Sequence, residues 1–203
     1  MLTLPLKENN HSEVFAEALR VLKSGGIVAY PTESFYALGV NATDGDAVRR
    51  LFELKKRPVE KPLPIIVGDT ETLGAIVKSI PEQAESLMER YWPGPLTLIF
   101  EGLDSIPALL TGGTGKVAVR IPGRSAALDL AKALKIPLTA TSANPSSKPP
   151  AESTDIIVAY FGDKIDLIID AGKTPGGKPS TIVDITVVPP EVLREGSIDL
   201  KEE

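Results

Sequence analysis

The 203-residue sequence contains no cysteine and only one histidine, His11. The missing cysteines exclude disulfides, thiolate catalysis and cysteine-based zinc sites. A single histidine makes a multi-histidine metal site improbable, and His11 lies in a polar run that is typical of a surface position. Any acid–base chemistry must therefore use other side chains.

Long apolar runs are missing as well. No stretch approaches the roughly 20 apolar residues that cross a bilayer, and residues 1–14 lack a basic region followed by an apolar one, so we expect no secretory signal. The formal net charge of −5 argues against a broadly basic surface for duplex DNA or anionic membranes, although it allows a local basic groove. We expect a soluble, cytoplasmic protein with no membrane partner.

The elements that the sequence predicts alternate between helices and apolar strands, with no long linker and no repeat. This order predicts one α/β domain over residues 1–203. Several strands are apolar throughout, as expected when helices cover both faces of a sheet. We therefore predict a single domain with a twisted, mixed sheet covered by helices. Its predicted strands are residues 26–31, 63–68, 95–100, 116–121, 136–141 and 165–170, before a final antiparallel pair at 180–188 and 191–198.

Three of these strands end in segments rich in hydroxyl groups. Thr32 and Ser34 follow the first, Ser142 and Asn144 follow the fifth, and Ser180 lies beyond the sixth. Ligands in open α/β sheets bind beyond the carboxyl ends of strands, which makes these segments candidates for a site. The alternative is that they cap helices and form local turns. For one segment alone we favour the local role; for the three together the two interpretations are balanced.

Cationic side chains are a second indication of a binding site. Lys55 and Arg57 lie at the end of a predicted helix, where they either offset the helix dipole or hold an anion at the edge of a cleft. Pro58 biases Arg57 away from helical conformation. Arg120 lies within a predicted strand, on the same face as Ala118, and an arginine there needs a carboxylate or phosphate partner. An internal salt bridge and a ligand contact explain Arg120 equally well.

Two segments resemble phosphate-binding loops without matching one. Gly172-Lys173-Thr174 follows a strand, but a Walker A sequence needs glycine at position 167, which is leucine, and Pro175 opposes the required helix. The segment 111–117 lacks the first glycine and the final Ser or Thr, and no G-x-G-x-x-G run is present. Any nucleotide must therefore be held by side-chain cations and other loop groups.

Six ordered segments resemble the conserved blocks of the YrdC/Sua5 family, the L-threonylcarbamoyladenylate synthases. They are YPTESFYALG (30–39), LKKRP (54–58), VAVRIP (117–122), TATSAN (139–144), STIVD (180–184) and VLREG (192–196). Each is weak alone, but their common order over residues 25–196 makes the resemblance highly specific. It implies a YrdC/RibB-like fold. Because the sequence ends soon after the last block, we expect the short single-domain form, without the C-terminal domain of the longer one.

The resemblance also implies an activity. The family forms L-threonylcarbamoyl-AMP and pyrophosphate from ATP, L-threonine and bicarbonate or CO2, and the product serves the t6A modification of the adenosine that follows the anticodon in ANN-decoding tRNAs. The implied partners are these substrates, downstream threonylcarbamoyl transferase proteins and weak contacts with tRNA. Magnesium is expected to accompany ATP. No permanently bound cofactor is expected, and the sequence identifies no metal ligand.

Roles for individual residues follow from the same resemblance. Lys55 and Arg57 match the pair that engages the triphosphate, and we expect them to be catalytic through placement and electrostatics. Arg120 would bind the carboxylate of threonine through a two-pronged, charge-assisted contact. No general base is assigned. The implied threonine site is Thr32, Arg120, main chain near Ala140, and Ser180; the implied nucleotide site is Lys55, Arg57, Ser142, Asn144 and Arg194.

Two other functions stay open on the sequence. A non-catalytic RNA-binding module would use a partly basic groove, but 22 basic against 27 acidic residues weaken this alternative. A carbamoyl-adenylate-forming enzyme, like the YrdC-like domain of hydrogenase-maturation carbamoyltransferases, would use carbamoyl phosphate instead. The absence of attached acylphosphatase and zinc-finger segments argues against it.

Overall fold

The computed structural model describes residues 1–200, whose strands form two mixed sheets with helices packed on them. The helices of this part are α1 (His11–Lys23), α2 (Gly45–Lys55), α3 (Thr70–Gly74), α4 (Glu82–Tyr91), α5 (Ala126–Leu134) and α6 (Thr154–Phe161), with a short 3-10 helix at Gly162–Lys164. The strands are β1 (Leu2–Pro5), β2 (Val28–Pro31), β3 (Tyr36–Gly39), β4 (Ile65–Ile66), β5 (Leu96–Glu101), β6 (Lys116–Arg120), β7 (Leu138–Thr139), β8 (Thr141–Ser142), β9 (Leu167–Asp170), β10 (Thr181–Asp184) and β11 (Glu191–Arg194).

Both sheets combine parallel and antiparallel neighbours. The five-stranded sheet has the order β1-β9-β2-β3-β8, and the six-stranded sheet has the order β11-β10-β5-β6-β4-β7. Strand β2 runs parallel to β9 and antiparallel to β3, while β5 runs parallel to β10 and antiparallel to β6. The predicted α/β class with mixed strand directions is confirmed, and so is the antiparallel pairing of β10 with β11. The division into two sheets and the strand β1 were not predicted.

The chain passes from one sheet to the other at Ala140. The segment predicted as one strand over residues 136–141 is two short strands: β7 pairs with β4 in the six-stranded sheet, and β8 pairs with β3 in the five-stranded sheet. The Ala140 amide donates to the Pro64 carbonyl at 2.8 Å, which fixes this crossing point. The prediction of one continuous strand was wrong because a short apolar run does not reveal which partner each residue pairs with.

Helices cover both faces of the five-stranded sheet, as its apolar strands predicted. In β2, Val28 and Tyr30 belong to the core formed with α1 and α5, while Ala29 belongs to the larger core. The larger core also contains inner residues of the six-stranded sheet, such as Leu98, so it joins the two sheets. None of the helices within residues 1–200 is both long and apolar enough to cross a membrane.

Two local features fix the positions of residues 32–35 and of Arg57. Strands β2 and β3 form an antiparallel hairpin with Pro31 opposite Tyr36, so residues 32–35 are its turn. Helix α2 begins after Asp44, whose carboxylate accepts the amides of residues 46 and 47. The helix ends at Lys55, and the next residue, Lys56, has a left-handed backbone (φ 50°) that turns Arg57 out of the helical path.

A substitution at Gly68 tests how closely the segment after β4 packs against α5. A Cβ here would lie 2.6 Å from the Cα and N of Lys132, closer than real Cβ atoms approach backbone. Gly68→Ala should therefore lower the free energy of unfolding by about 1–3 kcal/mol in a urea titration. Gly74→Ala is the matched control because a Cβ there meets nothing within 4 Å; it should change stability by less than about 1 kcal/mol. Parental stability in both variants would contradict the described packing.

Candidate active site

A cavity of about 1110 Å³ lies where the β2–β3 turn and the crossing point at Ala140 meet the six-stranded sheet. Its floor is the sheet face opposite the larger core and includes Thr97, Ile99, Ala118 and Ile182. The segments 57–64 and 176–182 and the end of β11 complete the walls. This volume is sufficient for a nucleotide-sized ligand.

Seven of the nine site residues named from the sequence line this cavity: Thr32, Arg57, Arg120, Ala140, Ser142, Ser180 and Arg194. Segments distant in the sequence are thus brought to one place. Lys55 and Asn144 are not among the lining residues and lie in the wall behind Ser142. The roles of all nine stay predictions.

Thr32 shapes the β2–β3 turn as well as lining the cavity. Its hydroxyl donates to the Phe35 carbonyl at 2.7 Å and accepts the Ser34 amide at 3.1 Å. This is the local turn role that we favoured for a single hydroxyl-rich segment. The hydroxyl also accepts the Phe35 amide at 3.3 Å, so its proton and both lone pairs have partners within the turn and it is held in one orientation at the cavity wall.

Arg120 has a carboxylate partner within the chain, Glu33, at the turn of the β2–β3 hairpin. The alternation of β6 buries Val117 and Val119 and turns Arg120 to the cavity side, as predicted. The Arg120 side chain is 13% exposed and that of Glu33 26% exposed. The Glu33 Oε1 atom accepts the Arg120 Nη1 proton, whereas Oε2 is buried without a hydrogen-bond partner among the described residues. Glu33 was not among the residues predicted to form the site, although it lies in the same hydroxyl-rich segment as Thr32.

Ser180 is held between a strand hydroxyl and a guanidinium. Its hydroxyl lies 2.8 Å from Thr97 Oγ1, and Arg194 donates to its carbonyl at 2.8 and 3.0 Å and to its hydroxyl at 3.1 Å. Gly196 lets this segment approach, since a Cβ there would lie 2.4 Å from the Pro179 oxygen. Thr97 was not predicted, because it occurs in an ordinary apolar strand.

Arg57 and Arg194 are cations in environments that disfavour their charge. Burial lowers the pKa of the Arg57 guanidinium. Partial burial, and then the positive charge of Arg120, lowers the pKa of Arg194. Arg57 donates through Nε to the Lys61 carbonyl and through Nη2 to the Pro62 carbonyl, both at 2.9 Å. A bound anion would stabilise the charged form of both guanidinium groups.

Lys55 is a buried ammonium group that supports the Ser142 loop. It is 1% exposed, and its Nζ donates to the carbonyls of Ser142 and Asn144, the latter at 2.6 Å. Burial, and then the charge of Arg57, lowers the pKa of Lys55 to about 7. Both bonds survive deprotonation because a neutral amine keeps two N–H donors. This geometry makes Lys55 a support for the cavity wall.

Asn144 has a similar supporting position. Its amide nitrogen donates to the carbonyls of Pro145 at 3.0 Å and Lys148 at 2.6 Å, which fixes the proline-rich loop that follows. Its Oδ1 atom is buried without a partner among the described residues. Ser142, in contrast, is exposed and lines the cavity. The loop therefore offers the ligand the Ser142 hydroxyl on a backbone that Lys55 and Asn144 hold from behind.

The cavity concentrates positive charge in a chain of net charge −5. The described residues that line it include Arg57, Lys61, Arg120, Lys178 and Arg194, with Glu33 as the one carboxylate. Such a cavity favours a polyanion. Within residues 1–200, no group of three or more His, Asp or Glu side chains is placed to hold a metal ion.

Known proteins resemble this chain in sequence and in fold. A family model for Sua5, YciO and YrdC, described as telomere recombination, matches residues 20–196. The chain belongs to this family. The threonylcarbamoyl-AMP synthase of Pyrococcus abyssi is 45% identical to this Sua5/YciO/YrdC chain over 181 residues. The synthase of Klebsiella pneumoniae is 34% identical over 193 residues, which cover 94% of this chain and 100% of the relative. The structure of P. abyssi Sua5 complexed with L-threonine matches 99% of this chain with a TM-score of 0.90 at 41% identity.

The family includes proteins of different lengths. The match to the P. abyssi synthase covers 89% of this chain but 53% of that relative, so the chain spans about half its length. The match to the threonine-bound structure likewise covers 58% of that chain. The span of the family model, residues 20–196, contains all the residues that line the cavity except Ser197.

Substitution of Lys55 tests its supporting position without any ligand. Lys55→Met removes both ammonium bonds, so amide hydrogen exchange in residues 142–148 should become about tenfold faster. Lys56→Met is the matched control, because Lys56 is exposed at the helix end; its exchange pattern should equal that of the parent. Unchanged exchange of the loop in Lys55→Met would show that Lys55 does not hold it.

Proposed function

We propose that this chain forms L-threonylcarbamoyl-AMP and pyrophosphate from ATP, L-threonine and bicarbonate or CO2. The observation that carries the proposal is one cavity that combines several guanidinium groups with fixed hydroxyls. The names of the relatives, threonylcarbamoyl-AMP synthases, support it.

The threonine would lie at the Arg120 end of the cavity. Arg120 supplies the charge for its carboxylate, while Thr32 and Ser180 present hydroxyls to a small polar side chain. The Ala140 amide is already bonded to Pro64, so main chain at this point offers a ligand only the carbonyl oxygen. A carbonyl acceptor suits the ammonium or hydroxyl donors of threonine.

The nucleotide would lie against Arg57, Ser142 and Arg194. Arg57 uses Nε and Nη2 to brace its own loop and makes no bond to the described residues through Nη1, which we propose meets a phosphate. Lys55 and Asn144 would act on the nucleotide by holding the Ser142 loop. Magnesium would enter bound to the triphosphate.

In the reaction, a carbamate oxygen of N-carboxythreonine attacks the α-phosphorus of ATP, and pyrophosphate leaves. Negative charge grows on the α-phosphate and on the leaving group, and the preorganised cations Arg57 and Arg194 offset it. The remaining rate acceleration comes from holding the carbamate and the triphosphate side by side, because the reaction of two separate molecules becomes a step within one complex. No histidine or cysteine is needed as a base.

The wider role belongs to the same proposal. The product would serve threonylcarbamoyl transfer to the adenosine after the anticodon, with transferase proteins and tRNA as partners in the cytoplasm. The local concentration of cations is compatible with a weak tRNA contact. No described feature favours the RNA-binding module or the carbamoyl-phosphate reaction over the synthase.

Pyrophosphate release with ATP tests the proposal. Release should require L-threonine and bicarbonate together, and carbamoyl phosphate should not replace them. Arg57→Gln should lower the rate about 100-fold through lost charge stabilisation. Arg49→Gln is the matched control on the exposed face of α2, where Arg49 pairs with Asp46, and it should keep the parental rate. Release that ignores threonine would refute the proposal.

A further inference from the structure

We propose that Glu33 divides the cavity between its two ligands, by accepting the α-ammonium group of the amino acid and by repelling phosphate from Arg120. This inference rests on the proposed function, since it concerns how the same cavity takes both an amino acid and a triphosphate. It assigns Glu33 a direct contact with the substrate.

The position of Glu33 is the first support. It lies at the tip of the β2–β3 hairpin, beside Thr32, and lines the cavity. One carboxylate oxygen is bonded to Arg120, and the other has no hydrogen-bond partner among the described residues although it is buried. Buried carboxylate oxygens are costly to leave without a donor. A ligand ammonium group would supply that donor.

Charge is the second support. Five cationic side chains among the described residues line the cavity, and any of them attracts phosphate. Within residues 1–200, Arg120 is the one of these five that forms an ion pair with a carboxylate. The pair has no net charge, so it attracts a polyanion far less than Arg57 or Arg194 does. A triphosphate is thereby directed to the unpaired cations.

An amino acid, which is a zwitterion, prefers the Arg120–Glu33 pair to the unpaired cations. Its carboxylate binds Arg120 and its ammonium group binds Glu33. Each member of the pair therefore still has an oppositely charged partner when the amino acid binds. The terminal torsion of a glutamate side chain is broad, so the two oxygens can turn to share Arg120 and the ligand. Discrimination then includes a repulsive element against the wrong ligand as well as an attraction for the right one.

Three probes separate these effects in equilibrium binding by calorimetry. They are L-threonine, 2,3-dihydroxybutanoate, in which a hydroxyl replaces the ammonium group, and pyrophosphate. In Glu33→Gln, threonine should bind about tenfold more weakly, which corresponds to the loss of one charged contact. Dihydroxybutanoate should bind as tightly as before or more tightly, and pyrophosphate should bind about fivefold more tightly because Arg120 is now unpaired.

Two further variants make the test decisive. Glu152→Gln is the matched control, since Glu152 pairs with Lys173 and does not line the cavity; all three affinities should equal those of the parent. Glu33→Asp keeps the charge, so it should retain the preference for threonine over dihydroxybutanoate and the parental affinity for pyrophosphate. A Glu33→Gln variant in which the three affinities fall together, or stay unchanged, would overturn the inference.

The failure of this inference is distinguishable from failure of the proposed function. If the parent binds threonine no more tightly than dihydroxybutanoate, Glu33 does not recognise an ammonium group, whatever the protein catalyses. If the parent shows the predicted binding pattern but releases no pyrophosphate with all substrates, the proposed reaction fails and the division of the cavity stands.

Discussion

The passage of the chain between two sheets at Ala140 is the constraint on which the site depends. Because β7 and β8 pair in different sheets, the hairpin turn of one sheet and the open face of the other meet at the same place. The bond from the Ala140 amide to Pro64 fixes where this happens. Thr32, Arg120 and Ser180 come from segments distant in the sequence, and they line one cavity beside this junction.

The second element is the use of buried polar groups to make a loop rigid. Proline restricts the backbone of the segment after Ser142, and Lys55 and Asn144 bind its carbonyls from the protein side. Burying an ammonium group is unfavourable unless it is well bonded, and here it has two carbonyl acceptors. The result is a hydroxyl presented to the cavity with little freedom to move, which is what electrostatic catalysis requires.

The sequence predicted features that depend on near neighbours. The end of α2 before Arg57 and the cavity-facing side of Arg120 both follow from the spacing of a few residues. What it missed depends on distant pairing. Glu33 and Arg120 are 87 positions apart in the sequence. The two carbonyls that accept hydrogen bonds from Lys55 belong to residues 87 and 89 positions away. Nothing in the local pattern distinguishes a lysine that meets a ligand from one that braces a loop.

The central claim is that one cavity holds an amino acid beside a triphosphate, with each ligand at its own set of charged groups. A crystal structure of the protein with L-threonine and a non-hydrolysable ATP analogue tests it most directly. The account predicts the threonine carboxylate on Arg120, with its side chain near Thr32 and Ser180, and the phosphates on Arg57 and Arg194. Ligands bound outside this cavity, or phosphates seated on Arg120, would contradict it.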